Sequence, residues 1–440
     1  MQIFLGLYAF FLLVIAFRSS RKNDSFQGFI LAGRNQPRIL IIASMLASTI
    51  GGGLTIGTVT KAYSMGFPAF WFVASGALAH LAQGAFLSEK VRRTEALTLP
   101  DLAEKLSTKN VRRLTGIIIV LTWTGIAAGQ FLAASKIISS ITNLPHQWAV
   151  MASASFLVIY TILGGQRSIL RTDFFQFGIL GLGILAAAAW LFGTKPLSFN
   201  ALDIHLFSAK FGPIDLIYYL VVVSGSYLIC PMMFGRILSS DSPKSARAAS
   251  FTSALGMLIF AFVITSLGLW ARATSLRLGA YDPMNALIHT VFPSWLGFIL
   301  VFGILAAILS TADTVLLTAA GVFEHDVLGS SSIFRTQGWV GLVAVVASII
   351  ALYQTDIVDL LLRTYQGYTS GIVPALFIAT VASTRRRVQG RFLFAAILLG
   401  YILGLGGNLL PSALGQKLMA FAGIAVSAIV TLAGLRKLES

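Results

Sequence analysis

Long apolar runs dominate this chain, and they set the first constraint on its fold. A membrane-spanning helix needs roughly 20 mostly apolar residues, and runs of that kind recur from end to end. They are expected near residues 1–17, 38–60, 66–88, 112–139, 146–163, 172–192, 213–238, 249–272, 294–321, 336–353, 366–382, 390–408 and 413–435. Only 11% of the 440 residues are charged, against about a quarter in a soluble domain. The expected class is an all-α polytopic membrane protein of about 13 spans. The single Cys230 excludes an internal disulfide. Residues 3–17 are apolar, lack a basic leader and lead into Arg18 and Arg21, so they read as a first membrane helix rather than a signal peptide.

Thirteen alternating spans sort the 32 Lys and Arg residues into 24 on one side and 8 on the other. The positive-inside rule places the richer set in the cytoplasm, with the N-terminus outside and the C-terminus cytoplasmic. In this sorting Arg236, at the end of the seventh span, counts with the cytoplasmic charges, and Arg363, between the tenth and eleventh spans, with the opposite set. The net charge of +16 is thereby explained by topology and lipid headgroups, not by nucleic acid.

Within the second span, Ala47-Ser48-Thr49-Ile50-Gly51-Gly52-Gly53-Leu54 interrupts an apolar helix. Each glycine is about 1 kcal/mol worse than Ala in a helix. In lipid, broken backbone is tolerated only where protein or a cavity satisfies it. Two readings follow: an unwound segment presenting carbonyls to a cation, or close packing through small residues. The seventh span holds Ser224-Gly225-Ser226 and Cys230-Pro231, which reads as a second break or as a simple proline kink. Leaving out the first helix, spans two to six and seven to eleven form two sets of five, each opening on an interrupted member. That is the pattern of an inverted-repeat transporter. It divides the chain into 1–37, 38–192, 193–382 and 383–440.

Asp313 is an acidic residue inside a span, in Ser310-Thr311-Ala312-Asp313-Thr314, and Asp173 opens the sixth span. Intramembrane carboxylates are costly and mark functional candidates, although Asp313 also suits helix–helix pairing and Asp173 a helix cap or a partner for Arg171. The Ser310 and Thr311 hydroxyls and the Ala307 carbonyl are hard oxygen donors that suit Na⁺. They equally suit hydrogen bonds within their own helix. At about 1.5 Å per residue, Ala47 and Thr311 lie at comparable depth. Gln130 is a candidate solute contact or an interhelical hydrogen bond. The five His residues lack metal-ligand spacing, the glycine runs lack a P-loop lysine, and no nucleophile elbow is present, so an enzyme is not expected.

Six fragments in order resemble the sodium/solute symporter family of sodium-coupled sugar, proline, pantothenate and choline transporters. They are Phe29 to Arg34, Ala47 to Gly57, Thr98 to Asp101, Tyr160 to Gly165 with Thr172-Asp173 and Gln176, Pro231 with Arg236 to Ser239, and Ala306 to Asp313. The resemblance implies a leucine-transporter-like 5+5 inverted repeat preceded by one extra helix. It implies a Na⁺ site made by the carbonyls of Ala47, Ile50 and Ala307 and the hydroxyls of Ser310 and Thr311. It marks Asp173, with Asp313 and Thr314 beside it, as a second cation or proton site or an exit path. Thr49, Gly51, Gly52, Gly53, Gln130 and Pro231 are candidate solute-lining residues. Trp71, Trp123 and Tyr365 are candidates for a cation–π cage. Thr49 stands where proline-transporting members are acidic, and Met232-Met233 where choline-transporting members carry an aromatic. The implied function is import of a small organic solute with Na⁺ across the cell membrane. No organic cofactor and no obligate protein partner are expected. A proton-coupled symporter and a non-transporting sensor are the alternatives.

Overall fold

The computed structural model describes residues 25–279 and 281–437, together with Gly6, Tyr8, Phe10, Phe11, Leu13, Val14, Ile15 and Phe17. The expected first span, 1–17, therefore lies largely outside the described residues, as do Arg18, Arg21 and Lys22.

The helices, in order, are α1 (Phe26–Leu31), α2 (Arg38–Thr49), α3 (Gly52–Met65), α4 (Phe67–Arg93), α5 (Leu99–Leu106), α6 (Lys109–Thr142) and α7 (His146–Thr194). They continue with α8 (Pro213–Leu228), α9 (Pro231–Ser239), α10 (Pro243–Ala273), α11 (Ser294–Val327), α12 (Ile333–Leu352), α13 (Ile357–Ala382), α14 (Gly390–Gly407) and α15 (Ala413–Ala433). Two short strands, β1 (Arg386–Val388) and β2 (Leu435–Lys437), pair antiparallel beyond the last two helices.

Among the described residues, eight helices are long and apolar enough to cross a membrane, or ten when each of two bent pairs counts as one span. The bent pairs are α2–α3, at 50°, and α8–α9, at 42°. The expected spans 146–163 and 172–192 lie within one helical run, α7, which turns at Gly165 (φ 61°, ψ −174°). That conformation is essentially restricted to glycine, so the turn is written in the residue type. Arg167 and Arg171 sit in the helix rather than in a loop.

One expected boundary needs correction. The helix expected at 366–382 begins at Ile357, capped by the Asp356 side chain. Its first turns carry Asp359, Arg363 and Gln366, which lowered the apolar signal, and Arg363 is paired to Asp359 within the helix rather than lying in a loop. The interruption expected in the seventh span at Cys230-Pro231 is present, with the break at Ile229–Cys230 just before Pro231 opens α9, while Ser224-Gly225-Ser226 stays helical. Arg236, counted among the cytoplasmic charges at the end of that span, is fully buried in α9.

The fold is centred on α6 and α11. In each, 78% of the most apolar eighteen-residue stretch is buried, against 28%, 33% and 17% for α12, α14 and α15. The buried stretch of α11 packs against α7, α6 and α2. At the rim, glycines bring α13, α14 and α15 into backbone contact. A Cβ at Gly400 would stand 2.3 Å from Ser370 O, one at Gly371 2.6 Å from Ile397 O, and one at Gly423 2.7 Å from Gly400 O. Ser370 and Ser427 hydroxyls donate across this seam to Ala420 O and Gly371 O. Close approach through small residues is how membrane helices gain packing without a hydrophobic driving force.

Candidate functional site

The two helix breaks differ in how their freed backbone is satisfied. At the second break, Gln83 Nε2 donates to Tyr227 O at 2.7 Å and to Leu228 O at 3.1 Å. Tyr368 OH donates to Ile229 O. Side chains of α4 and α13 thus take up the carbonyls that Pro231 releases.

At the first break, the Ile50 amide bonds Leu46 O at 2.8 Å, and the ladder resumes with Thr55 N on Gly51 O at 2.9 Å. Between them Ile50 (φ −89°, ψ 54°) and Gly51 (φ −67°, ψ 162°) leave the helix, so the carbonyls just before the break are taken out of register. Thr311 Oγ1 on α11 lies 3.4 Å from Ser48 O and 3.0 Å from Ala307 O. The glycine run is shared between two tasks. Gly51 makes the break, whereas Gly52 and Gly53 already belong to α3. A Cβ at Gly52 would lie 2.1 Å from Ile308 Cγ1 and 2.9 Å from Ile304 O, and one at Gly53 3.1 Å from Ile357 Cγ2. The run therefore both breaks the helix and packs closely, on adjacent residues.

Ala47, Ile50, Ala307, Ser310 and Thr311 are all buried and lie where α2 ends against α11. Ser310 Oγ donates to Asp173 Oδ1 at 2.5 Å. A hydroxyl that donates its proton to a carboxylate keeps its lone pairs for a cation. The donor set, three carbonyls and two hydroxyls, is oxygen throughout, which fits a hard cation such as Na⁺ better than a soft one.

Beside this lies a buried ionic cluster. Arg236 Nη2 is 3.3 Å from Asp173 Oδ2, 2.5 Å from Ser48 Oγ and 2.9 Å from Thr314 Oγ1. Its Nε donates to Ser44 Oγ at 2.9 Å and its Nη1 to Met232 O at 3.1 Å. Ser44 Oγ in turn donates to Asp173. One guanidinium thus joins α2, α7, α9 and α11. Asp313 is equally buried, with Oδ1 3.3 Å from Thr314 Oγ1 and no hydrogen-bond partner on Oδ2 among the described residues. Arg236 is the functional candidate that the sequence did not single out. Its signal was position: an arginine five residues after the proline that breaks a span.

A cavity of about 30 Å³ lies between the break and α6, α8, α11 and α13. Its lining includes Thr49, Gly51, Trp123, Gln130, Tyr227, Tyr365 and Thr311. Gln130 Oε1 is buried there without a partner among the described residues. Of the residues expected to line a solute site, Thr49, Gly51 and Gln130 line this cavity, with Trp123 and Tyr365. Gly52, Gly53 and Trp71 do not, the first two because they are used in helix contact. Pro231 lines a separate cavity of about 40 Å³, together with Thr98, Gln166 and Arg236. Met232 borders both spaces and stands between them. A volume of 30 Å³ holds a water or two, far below the 300 Å³ or more of an organic ligand pocket.

Broken apolar helices gathered around a buried polar centre define a multi-pass membrane protein of the transporter type. The fold matches that of a Na⁺-coupled sialic acid symporter solved in a substrate-bound outward-open state, with a TM-score of 0.75 at 16% identity, over 99% of this chain and 98% of that one. The chain belongs to the sodium:solute symporter family, whose profile matches residues 29–400. Among its relatives, the high-affinity choline transporter 1 of Caenorhabditis elegans is 27% identical over 340 residues, 70% of this chain and 58% of that protein. The sodium/proline symporter of Staphylococcus aureus is 24% identical over 349 residues, 74% of this chain and 67% of that protein. The chain spans about three-fifths of the length of the choline transporters it matches. These relatives are transporters, not enzymes.

Proposed function

We propose that this chain is a sodium-coupled secondary transporter that carries a small organic solute by alternating access. The observation that supports this reading best is the contrast between the two breaks. Side chains of α4 and α13 take up the carbonyls of Tyr227, Leu228 and Ile229 at the second, whereas at the first the Thr311 hydroxyl makes a long 3.4 Å hydrogen bond to Ser48 O. In this reading Na⁺ is held by Ala47, Ile50 and Ala307 carbonyls and by Ser310 and Thr311 hydroxyls, tying α2 to α11. The solute enters the space lined by Trp123, Gln130, Tyr227 and Tyr365 once the walls part. Three aromatic rings and one amide, with no carboxylate among the lining residues, suit a solute held by apolar and cation–π contact. Both ligands favour one conformation, and that differential affinity is the coupling. The 5+5 repeat, its domain boundaries at 38–192 and 193–382, the thirteen spans and an outside N-terminus belong to the same proposal.

The test is thermal stability of the purified protein in Na⁺ against K⁺. A ligand that binds only the folded state stabilises it by about 2.7 kcal/mol at a hundred times its Kd. The expected result is a Na⁺-specific rise that Ser310→Ala/Thr311→Ala abolishes. Equal stability in both cations would overturn the sodium assignment. A second reading, coupling to protons, draws on the unpartnered Asp313 Oδ2. Uptake into vesicles that persists without Na⁺ and collapses with a protonophore would replace the first reading with this one.

A further inference from the structure

Six cations meet where three membrane helices end. Arg385, Arg386 and Arg387 follow the end of α13 at Ala382, Arg391 lies in the first turn of α14, and Arg436 and Lys437 follow the end of α15 at Ala433. All six are exposed. The strands β1 and β2 set four of them in register, with Arg386 opposite Lys437 and Arg387 opposite Arg436. Directly opposed residues of an antiparallel pair have Cβ atoms about 4.5–5.5 Å apart, and like charges there are destabilising. Among the described residues no carboxylate pairs with any of the six. Arg387 Nη2 reaches only a carbonyl, Ser107 O at 3.2 Å, and Glu104, three residues before Ser107, is taken by Arg112 at 2.7 Å.

The fold holds these like charges together. An isolated two-stranded ribbon is marginal in water, but this one is seated on the helices. Val388 is buried and its partner Leu435 is half-buried. Gln389 N donates to Gly434 O at 3.0 Å. A Cβ at Gly434 would lie 2.4 Å from Phe392 Cβ, and one at Gly390 2.5 Å from Thr108 Cγ2. Both glycines therefore serve the close seat of the ribbon on α14 and on the α5–α6 connection. The attraction of basic residues to a helix C-terminus fades within the last turn. Arg386 and Lys437 each stand four residues past a helix end, at Ala382 and Ala433, so that attraction does not account for them.

The place of the ribbon identifies the counter-ion. The most apolar stretches of α14 and α15 are only 33% and 17% buried, so these helices face lipid. A segment within four residues of their ends lies at headgroup level. Clusters of about four to eight basic residues directly beyond a membrane helix draw anionic lipid. We propose that β1 and β2 form a binding site for an anionic phospholipid, whose headgroup phosphate bridges Arg386 and Lys437 across the ribbon. Arg387, Arg391 and Arg436 supply the surrounding positive field. The phosphate converts a repelling cross-strand pair into a bridged one, and so clamps the segment after α15 to the entry of α14.

The experiment uses the full chain in nanodiscs of phosphatidylcholine doped with a phosphatidylglycerol that carries a photoactivatable headgroup. Cross-links are mapped by mass spectrometry. The expected result is labelling concentrated on residues 383–392 and 434–437. Arg386→Gln and Lys437→Gln should each lower it about fivefold, since a basic residue near an anionic surface contributes roughly 1 kcal/mol. Arg38→Gln/Lys244→Gln removes two exposed charges elsewhere and should leave ribbon labelling unchanged. Thermal stability supplies a second readout, whose sign separates a bridged site from general attraction. In phosphatidylcholine alone, Arg386→Gln relieves the opposed pair and should preserve or raise the melting temperature. With phosphatidylglycerol present, the same substitution should lower it. Labelling spread evenly over the basic loops, or equal in wild type and Arg386→Gln/Lys437→Gln, would overturn the site, as would the same stability response in both lipids. Displacement of the label by inorganic phosphate at matched ionic strength would overturn the assignment to a lipid. No readout requires Na⁺ or a solute, so these outcomes are separable from the transport proposal.

Discussion

Replacing Arg236 by Met isolates the ionic cluster. The guanidinium is fully buried and makes five polar contacts, to Asp173, Ser44, Ser48, Thr314 and Met232 O, at 2.5–3.3 Å. Met is similar in length and keeps much of the packing, so the loss is mainly electrostatic. Removing one partner of a buried ion pair costs about 3–5 kcal/mol, because the other charge is left uncompensated. Ser44 and Ser310 still donate to Asp173 after the change, which places the expected cost near the low end, about 3 kcal/mol. That is roughly a 150-fold shift in the unfolding equilibrium. Asp173→Asn removes the stranded charge, so Arg236→Met/Asp173→Asn should recover at least about half of the sum of the two single losses. The assay is a four-member cycle of denaturant unfolding in one detergent, pH and salt. Additivity of the two substitutions within about 0.5 kcal/mol would refute the pairing. So would a cost for Arg236→Met below about 1 kcal/mol.

Further outcomes follow from the geometry. Gly52→Ala gains up to about 1 kcal/mol of helix propensity, but its Cβ meets Ile308 and the Ile304 carbonyl. Overpacking of about 1–3 kcal/mol should win, lowering thermal stability and weakening the Na⁺ response by pushing α3 from α11. Gln83→Leu strands two carbonyls at the second break and should cost about 1–3 kcal/mol, read by the same unfolding assay; an unchanged midpoint would mean that those bonds are dispensable. Gly165→Ala forces an L-residue into φ 61° and should destabilise by about 1–3 kcal/mol. Alanine at Gly178, where a Cβ meets nothing within 4 Å, should leave stability unchanged or higher.

Much of this was legible in the sequence because membrane physics is local. Apolar length gives the helices, and glycine and proline inside them give the two interruptions. Depth, countable along a helix, placed Ala47 near Thr311, and the resemblance to the symporter family implied the full set of Ala47, Ile50, Ala307, Ser310 and Thr311. What sequence hid is pairing over distance. Arg236 reads as one more cytoplasmic charge at the end of a span until Asp173, 63 residues earlier, is placed against it. Gln83 reads as one polar residue in an apolar run until the Tyr227 and Leu228 carbonyls turn towards it. The glycine triplet reads as one break, but the division of labour between Gly51 and its neighbours depends on Ile308 and Ile357, which no local pattern reveals.

The glycine seam joining α13 to α14 and α15 has a mechanical consequence. Its carbonyl-to-backbone approaches leave no slack, and Ser370 and Ser427 pin it. These three helices form an anvil rather than a door. In the proposed transport cycle, Tyr365 and Leu361, borne on α13 and lining the central cavity, would be the wall that stays with α14 and α15. Enlarging 30 Å³ to admit a solute then falls to the opposite wall, around Gly51 and Met232. A covalent staple between α13 and α14 should pass unnoticed, whereas one between α3 and α13 should freeze the protein shut.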